Sequence, residues 1–240
     1  MRSLQNTIFI KRYISMGLII AFAIPMLAFS ESEIFSSECF LTENDTLSPS
    51  MIYDLKAEKI EGLSDTSLLM FSDPETYFKR TYRSYCNDYL SLRNLYKEFP
   101  GSASIRHHFY DEYAEISYSD DNYYSIRFTQ SSYTGGAHPN SWAQHWIIDK
   151  KTVGVVDFRD IFKDNAEESI KELTDKALIK QFKIKDLSKI VFNPDYQVSK
   201  DMYFIKKGIV FQYDAYEIAP YVYGSIEVFI PYKKLKNLMK

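Results

Sequence analysis

The chain is poor in the residues from which metal and thiol chemistry is built. Its 240 residues include two cysteines and four histidines. There is no His-Glu-x-x-His, no cysteine pair at zinc-ligand spacing, no Gly-x-Ser-x-Gly and no Gly-x-x-x-x-Gly-Lys-Ser/Thr. As sequence motifs, a zinc-peptidase helix, a nucleophile elbow and a phosphate loop are therefore excluded, and no cofactor signature replaces them. Glycine and proline number eight each, and no internal repeat or low-complexity tract occurs. No apolar run reaches the roughly 18 residues that mark a confident membrane-spanning helix. Positive charge is also limited, with 29 Lys and Arg against 32 Asp and Glu. A general nucleic-acid binder would show a basic face, and that class is excluded.

The N-terminus sets the compartment. Lys11 and Arg12 precede an apolar run of 16 residues from Ile14 to Phe29, and acidic chain begins at Glu31. A basic flank, a short apolar segment and the small residues Ala28 and Ser30 read as a secretory signal over 1–30, cleaved near Glu31. An uncleaved membrane anchor is the alternative. A lipid anchor does not fit, because Ser36-Ser37-Glu38 before Cys39 is polar where a lipobox is apolar. Arg2, Lys11 and Arg12 are the charged residues of that segment, so the mature chain carries 26 basic and 32 acidic residues, a net charge of −6. Such a surface attracts a cationic partner at moderate salt, and it also keeps an exported protein soluble.

Cys39 and Cys86 both lie in the mature chain. An oxidising compartment permits one bridge between them, and closing that loop is worth about 4 kcal/mol in the chain-entropy model. We expect the bridge, with two separate thiols as the alternative. Aromatic residues make up 16% of the chain, mostly Tyr and Phe. A tyrosine buries its ring while its hydroxyl stays hydrogen-bonded, so this composition suits a modest core and an amphipathic surface.

The hydrophobic pattern mixes strands and helices. A polar segment, 31–50, reads as a flexible leader. Ile52–Ile60 alternates as a strand. Asp73-Pro74-Glu75 is a helix start, and Phe78, Tyr82, Tyr85, Tyr89, Leu92 and Tyr96 then fall on one face. That stripe reads as core-facing, with a binding face as the alternative; Pro100-Gly101 ends the helix. Glu112–Tyr118 and Tyr123–Gln130 form a hairpin around Asp120-Asp121-Asn122, and Trp142–Asp149 is a further strand. Asp157–Phe162 is a short helical turn. Asp164-x-x-Glu167 resembles a capping box opening a helix to about Phe182, with Ile170, Leu173, Ala177 and Leu178 inward. Asn193-Pro194-Asp195 breaks the chain. A second hairpin pairs Asp201–Ile205 with Ile209–Tyr213, Ser225–Ile230 is the last strand, and Pro231 starts a terminal helix. The prediction is an α+β fold with mainly antiparallel sheets, two principal helices and two small subdomains, 51–132 and 133–240.

Two motifs concentrate the candidate functional residues: Tyr133-Thr134-Gly135-Gly136-Ala137-His138 and Tyr216-Glu217-Ile218-Ala219-Pro220-Tyr221, leading to Tyr223-Gly224. Gly135-Gly136 allows positive φ or close approach of a partner to backbone amides, and a purely structural turn is the plainer reading. His138 and His145 stand seven apart, and Asp149 or Glu217 could complete a metal site with them; the ligand pattern is too sparse to assign one. His107-His108 read as ordinary surface residues. Asp214 and Glu217 flank Tyr216 in what reads as a solvated loop. Tyr133, Trp142, Trp146, Tyr216, Tyr221 and Tyr223 lie in or beside the motifs, where aromatic side chains suit sugar or protein recognition as well as core packing.

From Tyr133 onward the chain resembles a family of bacterial envelope domains. These form the extracellular part of lysozyme-sensing anti-sigma factors and stand beside the catalytic domain of some peptidoglycan deacetylases. The marks are Tyr133-Thr-Gly-Gly-Ala-His138, Asp149-Lys-Lys-Thr-Val-Gly154 leading to Asp160-Ile-Phe162, and Tyr216-Glu-Ile-Ala-Pro220 leading to Gly224, Val228 and Ile230-Pro231-Tyr232. Residues 52–130 resemble the smaller companion domain that precedes it. A cytoplasmic sigma-binding domain and a metal-dependent catalytic domain are both missing from the pattern, so the recognition part alone is expected. The resemblance implies an exported, periplasmic or extracellular, non-catalytic protein whose partner is a lysozyme-like protein or a peptidoglycan fragment. It implies ligand contacts at Tyr133, Gly135, Gly136, His138, Tyr216, Glu217 and Tyr221, forming one patch. An envelope hydrolase with a site near His138 and His145 is the alternative, and a structural envelope protein is a third class.

Overall fold

A computed structural model describes residues 32–39, 50–98, 107–135 and 137–240. The signal segment and the Pro100-Gly101 helix stop lie outside the described residues, as does Gly136. Among the described residues, nine strands form a six-stranded sheet, β1 (Ser32–Cys39), β2 (Ser50–Glu58), β3 (His107–Ser119), β4 (Tyr123–Tyr133), β5 (Asn140–Asp149) and β6 (Gly154–Val156) side by side in that order, and a three-stranded sheet of β7 (Met202–Ile205), β8 (Gly208–Tyr213) and β9 (Ile226–Pro231) in that order. The chain divides into two compact units, Met1–Glu115 with Thr129–Ser141, and Ile116–Phe128 with Trp142–Lys240. The reading from sequence placed one boundary at residue 133. The chain instead changes unit inside the strands β3 (His107–Ser119), β4 (Tyr123–Tyr133) and β5 (Asn140–Asp149).

The first unit begins with a correction. The leader expected over 31–50 contains a strand, β1 (Ser32–Cys39), paired antiparallel with β2 (Ser50–Glu58) from Ser32↔Glu58 to Cys39↔Met51. The physical reason is Phe35, which is 1% exposed and stacks on Phe78 at 5.3 Å. One buried ring and a ladder of backbone hydrogen bonds order a segment whose composition is otherwise polar.

β2 pairs with β3 in parallel, with Asp54 beside Asp111 and Tyr53 beside Tyr110. A parallel pair needs a crossover, here supplied by α1 (Leu69–Ser72) and α2 (Pro74–Glu98). The predicted start of α2 is present: the Thr76 amide donates to Asp73 Oδ1 at 3.1 Å, and Pro74 occupies the first helical position. Phe78, Tyr82 and Tyr89 of the aromatic stripe are buried and Tyr85 is half-buried. The stripe is therefore the core-facing side. Tyr53 stacks on Phe78 at 4.9 Å, and Met51, Leu55 and Ala57 complete the inner face of β2.

That inner face also holds charge. Glu112 is 1% exposed, and its carboxylate accepts from Tyr53 at 2.6 Å, from Tyr85 at 2.7 Å and from Gln130 Nε2 at 2.7 Å. Three donors from β2, α2 and β4 offset the loss of water around the anion. His108 was read as a surface residue and is 2% exposed, edge-on to Tyr89 at 5.4 Å. Alternate β3 positions face α2, which puts His108 inward with Glu112 and Ala114. Burial lowers its pKa from the usual histidine value.

In the second unit the three-stranded sheet is antiparallel: β7 (Met202–Ile205), β8 (Gly208–Tyr213) and β9 (Ile226–Pro231). All six residues of the central strand are buried, while β9 alternates. This is the pattern of a middle strand covered on both faces beside an edge strand. The helix α4 (Ala166–Phe182) packs on β9 through Ile170 and Leu178, with Leu173 and Ala177 against the same core. Its capping box is not the one predicted. Asn165 is the N-cap and makes no side-chain cap, whereas the reciprocal box joins Asp157 and Asp160 at α3 (Phe158–Ile161). Ala166 is fully buried at the start of α4, and packing holds that end. The short strand β6 (Gly154–Val156) pairs with the end of β5, an element too brief to read from sequence. At the C-terminus, α5 (Tyr232–Leu235) follows Pro231, and Lys240 donates to the Ile161 carbonyl at 2.9 Å.

Candidate functional site

The residues Asp214–Gly224 of the second unit form a hydrogen-bonded loop that carries exposed rings. The Glu217 amide donates to the Asp214 carbonyl at 3.0 Å, and the Asp214 amide donates to Glu217 Oε2 at 2.8 Å. This reciprocal pair closes a tight turn within the expected loop, and Tyr216 and Glu217 stay exposed. Ile218 and Ala219, at 4% and 2% exposed, anchor its next stretch in the core. The Phe192 amide donates to the Ile218 carbonyl at 2.9 Å. Pro220 then leads a 3-10 turn over Tyr221–Tyr223, and Gly224 leaves it at φ 62°.

Between the turn and the anchor, Tyr216 sits at φ 72°. A non-glycine residue pays about 1–2 kcal/mol for that left-handed backbone. Its ring is 65% exposed and stacks on Tyr221 at 5.4 Å. Val222, at 84% exposed, extends the apolar surface, and Phe192 and Tyr223 are also exposed. Tyr223 is braced edge-on by Phe182 at 5.6 Å. Strained backbone, fixed on both sides and presenting rings to solvent, is typical of contact surfaces.

An acidic group lies within this turn. Burial raises the Glu217 pKa above the usual carboxylate value; the amide bond from Asp214 opposes this, and the nearby Asp214 and Asp201 carboxylates reinforce it. Asp214 Oδ1 is buried without a hydrogen-bond partner.

Asp201 also orients a histidine. His145, on β5, has its Nδ1 3.0 Å from Asp201 Oδ1, and that oxygen accepts the His145 amide at 3.1 Å. The ring stacks on Tyr203 at 4.3 Å. A carboxylate at Nδ1 selects the tautomer with the proton there, leaving a lone pair on Nε2. Nε2 is buried and makes no hydrogen bond. His145 and Asp201 are among the residues lining a cavity of about 290 Å³. Asp201 is 56 residues away in sequence. No local signal marks it as the partner of His145, because the pairing exists only once β5 and the start of β7 are brought together.

The other motif is arranged differently. Tyr133 is half-buried and stacks on Phe109 at 6.4 Å. Gly135 is at φ 98°, and His138 is exposed with its Nδ1 2.9 Å from the Pro139 carbonyl. Tyr133, Gly135 and His138 belong to the first unit, and Tyr216, Glu217 and Tyr221 to the second. Among the described residues no group of three or more His, Cys, Asp or Glu side chains is placed to hold a metal ion. Nor is any helix among them long and apolar enough to cross a membrane.

Two family models match separate parts of the chain. Residues 43–141 match the family model described as Deacetylase PdaC, and residues 159–233 match the one described as Protein of unknown function (DUF3298). Both domain types are thus present, as the resemblance implied. The Gly-Gly turn, expected to open the C-terminal domain, falls within the first match. No curated protein matches the chain. A DUF3298 family protein of Bacteroides fragilis NCTC 9343 superimposes with a TM-score of 0.72 at 20% identity, over 88% of this chain and 94% of that one. A DUF3298 family protein of Pseudomonas aeruginosa PAO1 gives a TM-score of 0.63 at 18% identity, with the same coverages. At such identities the likeness is one of fold, and the α+β architecture with mainly antiparallel sheets is shared.

Proposed function

We propose that this is an exported recognition protein of the bacterial cell envelope, without catalytic activity of its own, which binds a lysozyme-type protein or a peptidoglycan fragment. The observation that carries the reading is the Tyr216–Tyr221 platform. Rings held in place before binding lose little entropy on contact, and tyrosine gives large area with a polar edge. The pairing of a PdaC-type domain with a DUF3298 domain supports the envelope setting. In this reading Tyr216, Glu217 and Tyr221 touch the ligand, and Tyr133, Gly135, Gly136 and His138 are contact residues of the first unit. Calorimetric titration of the mature chain with lysozyme and, separately, with muropeptides tests it. The Tyr216→Ala/Tyr221→Ala variant should bind its ligand at least about tenfold more weakly with its melting temperature held, since central aromatic contacts each carry about 2 kcal/mol. Undiminished binding by that variant, or no binding by the parent chain to either ligand, would sink the reading.

In this reading residues 1–30 are removed on export. The mature N-terminus is then near Glu31, and N-terminal sequencing of exported protein checks it; an intact Met1 in the membrane fraction means an anchor instead. The same compartment supports a Cys39–Cys86 bridge. Cys86 lies on the inner side of α2, which packs against β1, and Cys39 is the last residue of β1. Thiol titration under denaturation without reductant should find close to no reactive thiol, and two would overturn the bridge.

The His145–Asp201 pair beside a cavity favours a second reading, a hydrolase with His145 as general base. Hydrolysis of a muropeptide or acetylated glycan by the wild type and not by His145→Gln would establish it.

A further inference from the structure

A second surface lies in the first unit, on the sheet face opposite α2. Strand alternation defines it. Met51, Tyr53, Leu55 and Ala57 point into the core, so Ile52, Asp54 and Lys56 point outward, and on β3 Phe109, Asp111 and Tyr113 do the same. The register sets these residues in rows: Ile52 beside Phe109, Asp54 beside Asp111, and Lys56 beside Tyr113, with Ile34 of β1 on the other side of Lys56. Ile34, Ile52 and Tyr113 are 38%, 39% and 49% exposed. Phe109 is fixed by its stack on Tyr133.

The middle row opposes stability. Two carboxylates stand directly across a strand pair, an arrangement that destabilises a sheet. The Asp111 pKa is raised, by burial first and by Asp54 second. A like-charged pair with Ile52 and Phe109 on one side and Tyr113 and Lys56 on the other is a poor way to build a solvated sheet face. It suits a planar cation. A guanidinium can take two carboxylate oxygens at once while its faces lie against rings, which an ammonium cannot do.

We propose that the outer face of this sheet, centred on Asp54 and Asp111 with Tyr113 and Phe109 beside them, docks an arginine-bearing segment of a partner protein. The arginine side chain inserts between the aromatic rows and neutralises both carboxylates, relieving the repulsion that the free protein carries. Lys56 stands on the same face, one row from the two carboxylates. This surface acts independently of the Tyr216 loop.

The experiment titrates the full exported chain with a short arginine–leucine peptide and with its counterpart carrying lysine at each arginine. The arginine peptide should bind more tightly. Asp54→Asn/Asp111→Asn should weaken it about tenfold, the scale of losing a desolvated charge contact, while melting at the same temperature as the parent or higher. The control pair Asp164→Asn/Glu168→Gln, which removes the same charge from exposed positions of the second unit, should stay within about twofold, as a peripheral charge acts only through the screened long-range field. Tyr113→Ala should abolish the preference for arginine over lysine, and Tyr216→Ala should bind the peptide like the parent chain. Equal loss in the control pair means attraction by net charge alone and overturns the proposal. So do unchanged binding by Asp54→Asn/Asp111→Asn, a lower melting temperature for that variant, and loss of peptide binding in Tyr216→Ala.

Discussion

Single positions in this chain carry opposite backbone demands. A Cβ on Gly208 would lie 2.2 Å from the Ile230 carbonyl oxygen and 2.8 Å from Pro231 Cα. Both are backbone atoms of the paired strand, so neither can swing away. Gly208→Ala should cost about 1–3 kcal/mol or more, the scale of overpacking a dense core, read as a lower urea midpoint. Tyr216 is the reverse case, a large residue where glycine would be easier. Relief of about 1–2 kcal/mol of backbone strain is partly offset by the flexibility glycine adds to the unfolded chain. Tyr216→Gly should therefore leave the urea midpoint unchanged or slightly higher while removing ligand binding. A lower midpoint would mean that the ring is a structural prop.

At the scale of elements, the first unit is held by α2 lying over β2 and β3 with a carboxylate between them. Glu112→Ala leaves the Tyr53 and Tyr85 hydroxyls without their acceptor, and a loss of at least about 2 kcal/mol is expected by chemical denaturation. The same network fixes an alkaline limit. Burial raises the pKa values of Tyr53, Tyr77 and Tyr85, and Glu112 adds to each. In the second unit burial pushes Tyr213 and Tyr232 up to about 12. A phenol whose folded pKa exceeds its unfolded value of about 10 contributes stability that is complete below pH 10 and lost as pH rises toward the folded value. Melting temperature should accordingly be flat from pH 8 to about 10 and fall steadily from there to about 12. Tyr53→Phe should flatten part of that fall. An onset of unfolding well below pH 9 would remove the tyrosines as its cause.

For the whole molecule, net charge predicts how the proposed association depends on salt. A mature chain at −6 meeting a basic partner should associate quickly at low salt and more slowly as the Debye length shrinks from about 30 Å at 0.01 M to about 8 Å at 0.15 M. Stopped-flow association with lysozyme should show an on-rate falling at least about tenfold across that range, with a much smaller change in off-rate. A salt-independent on-rate would turn the reading toward an uncharged glycan.

Much of the architecture was already determined by the order of residues. Asp73-Pro74-Glu75 and the 4-3 spacing of Phe78, Tyr82, Tyr85 and Tyr89 specify a helix and its buried face, because capping and periodicity are local properties. The Asp120-Asp121-Asn122 turn specifies its hairpin for the same reason. The strand over 32–39 escaped the sequence reading because its order comes from Phe35 meeting Phe78 and from pairing with β2, neither of which composition reveals. The His145–Asp201 contact, the Asp54–Asp111 pair and the burial of Glu112 are likewise decisions of the tertiary structure. Each depends on strand register or on segments far apart in sequence, and register is set by how the whole sheet packs. The motif around Tyr216 could be located from sequence as aromatic and acidic. That its ring is exposed, strained and stacked on Tyr221 followed only from the folded turn, since a side chain's exposure is decided by what the rest of the chain leaves uncovered.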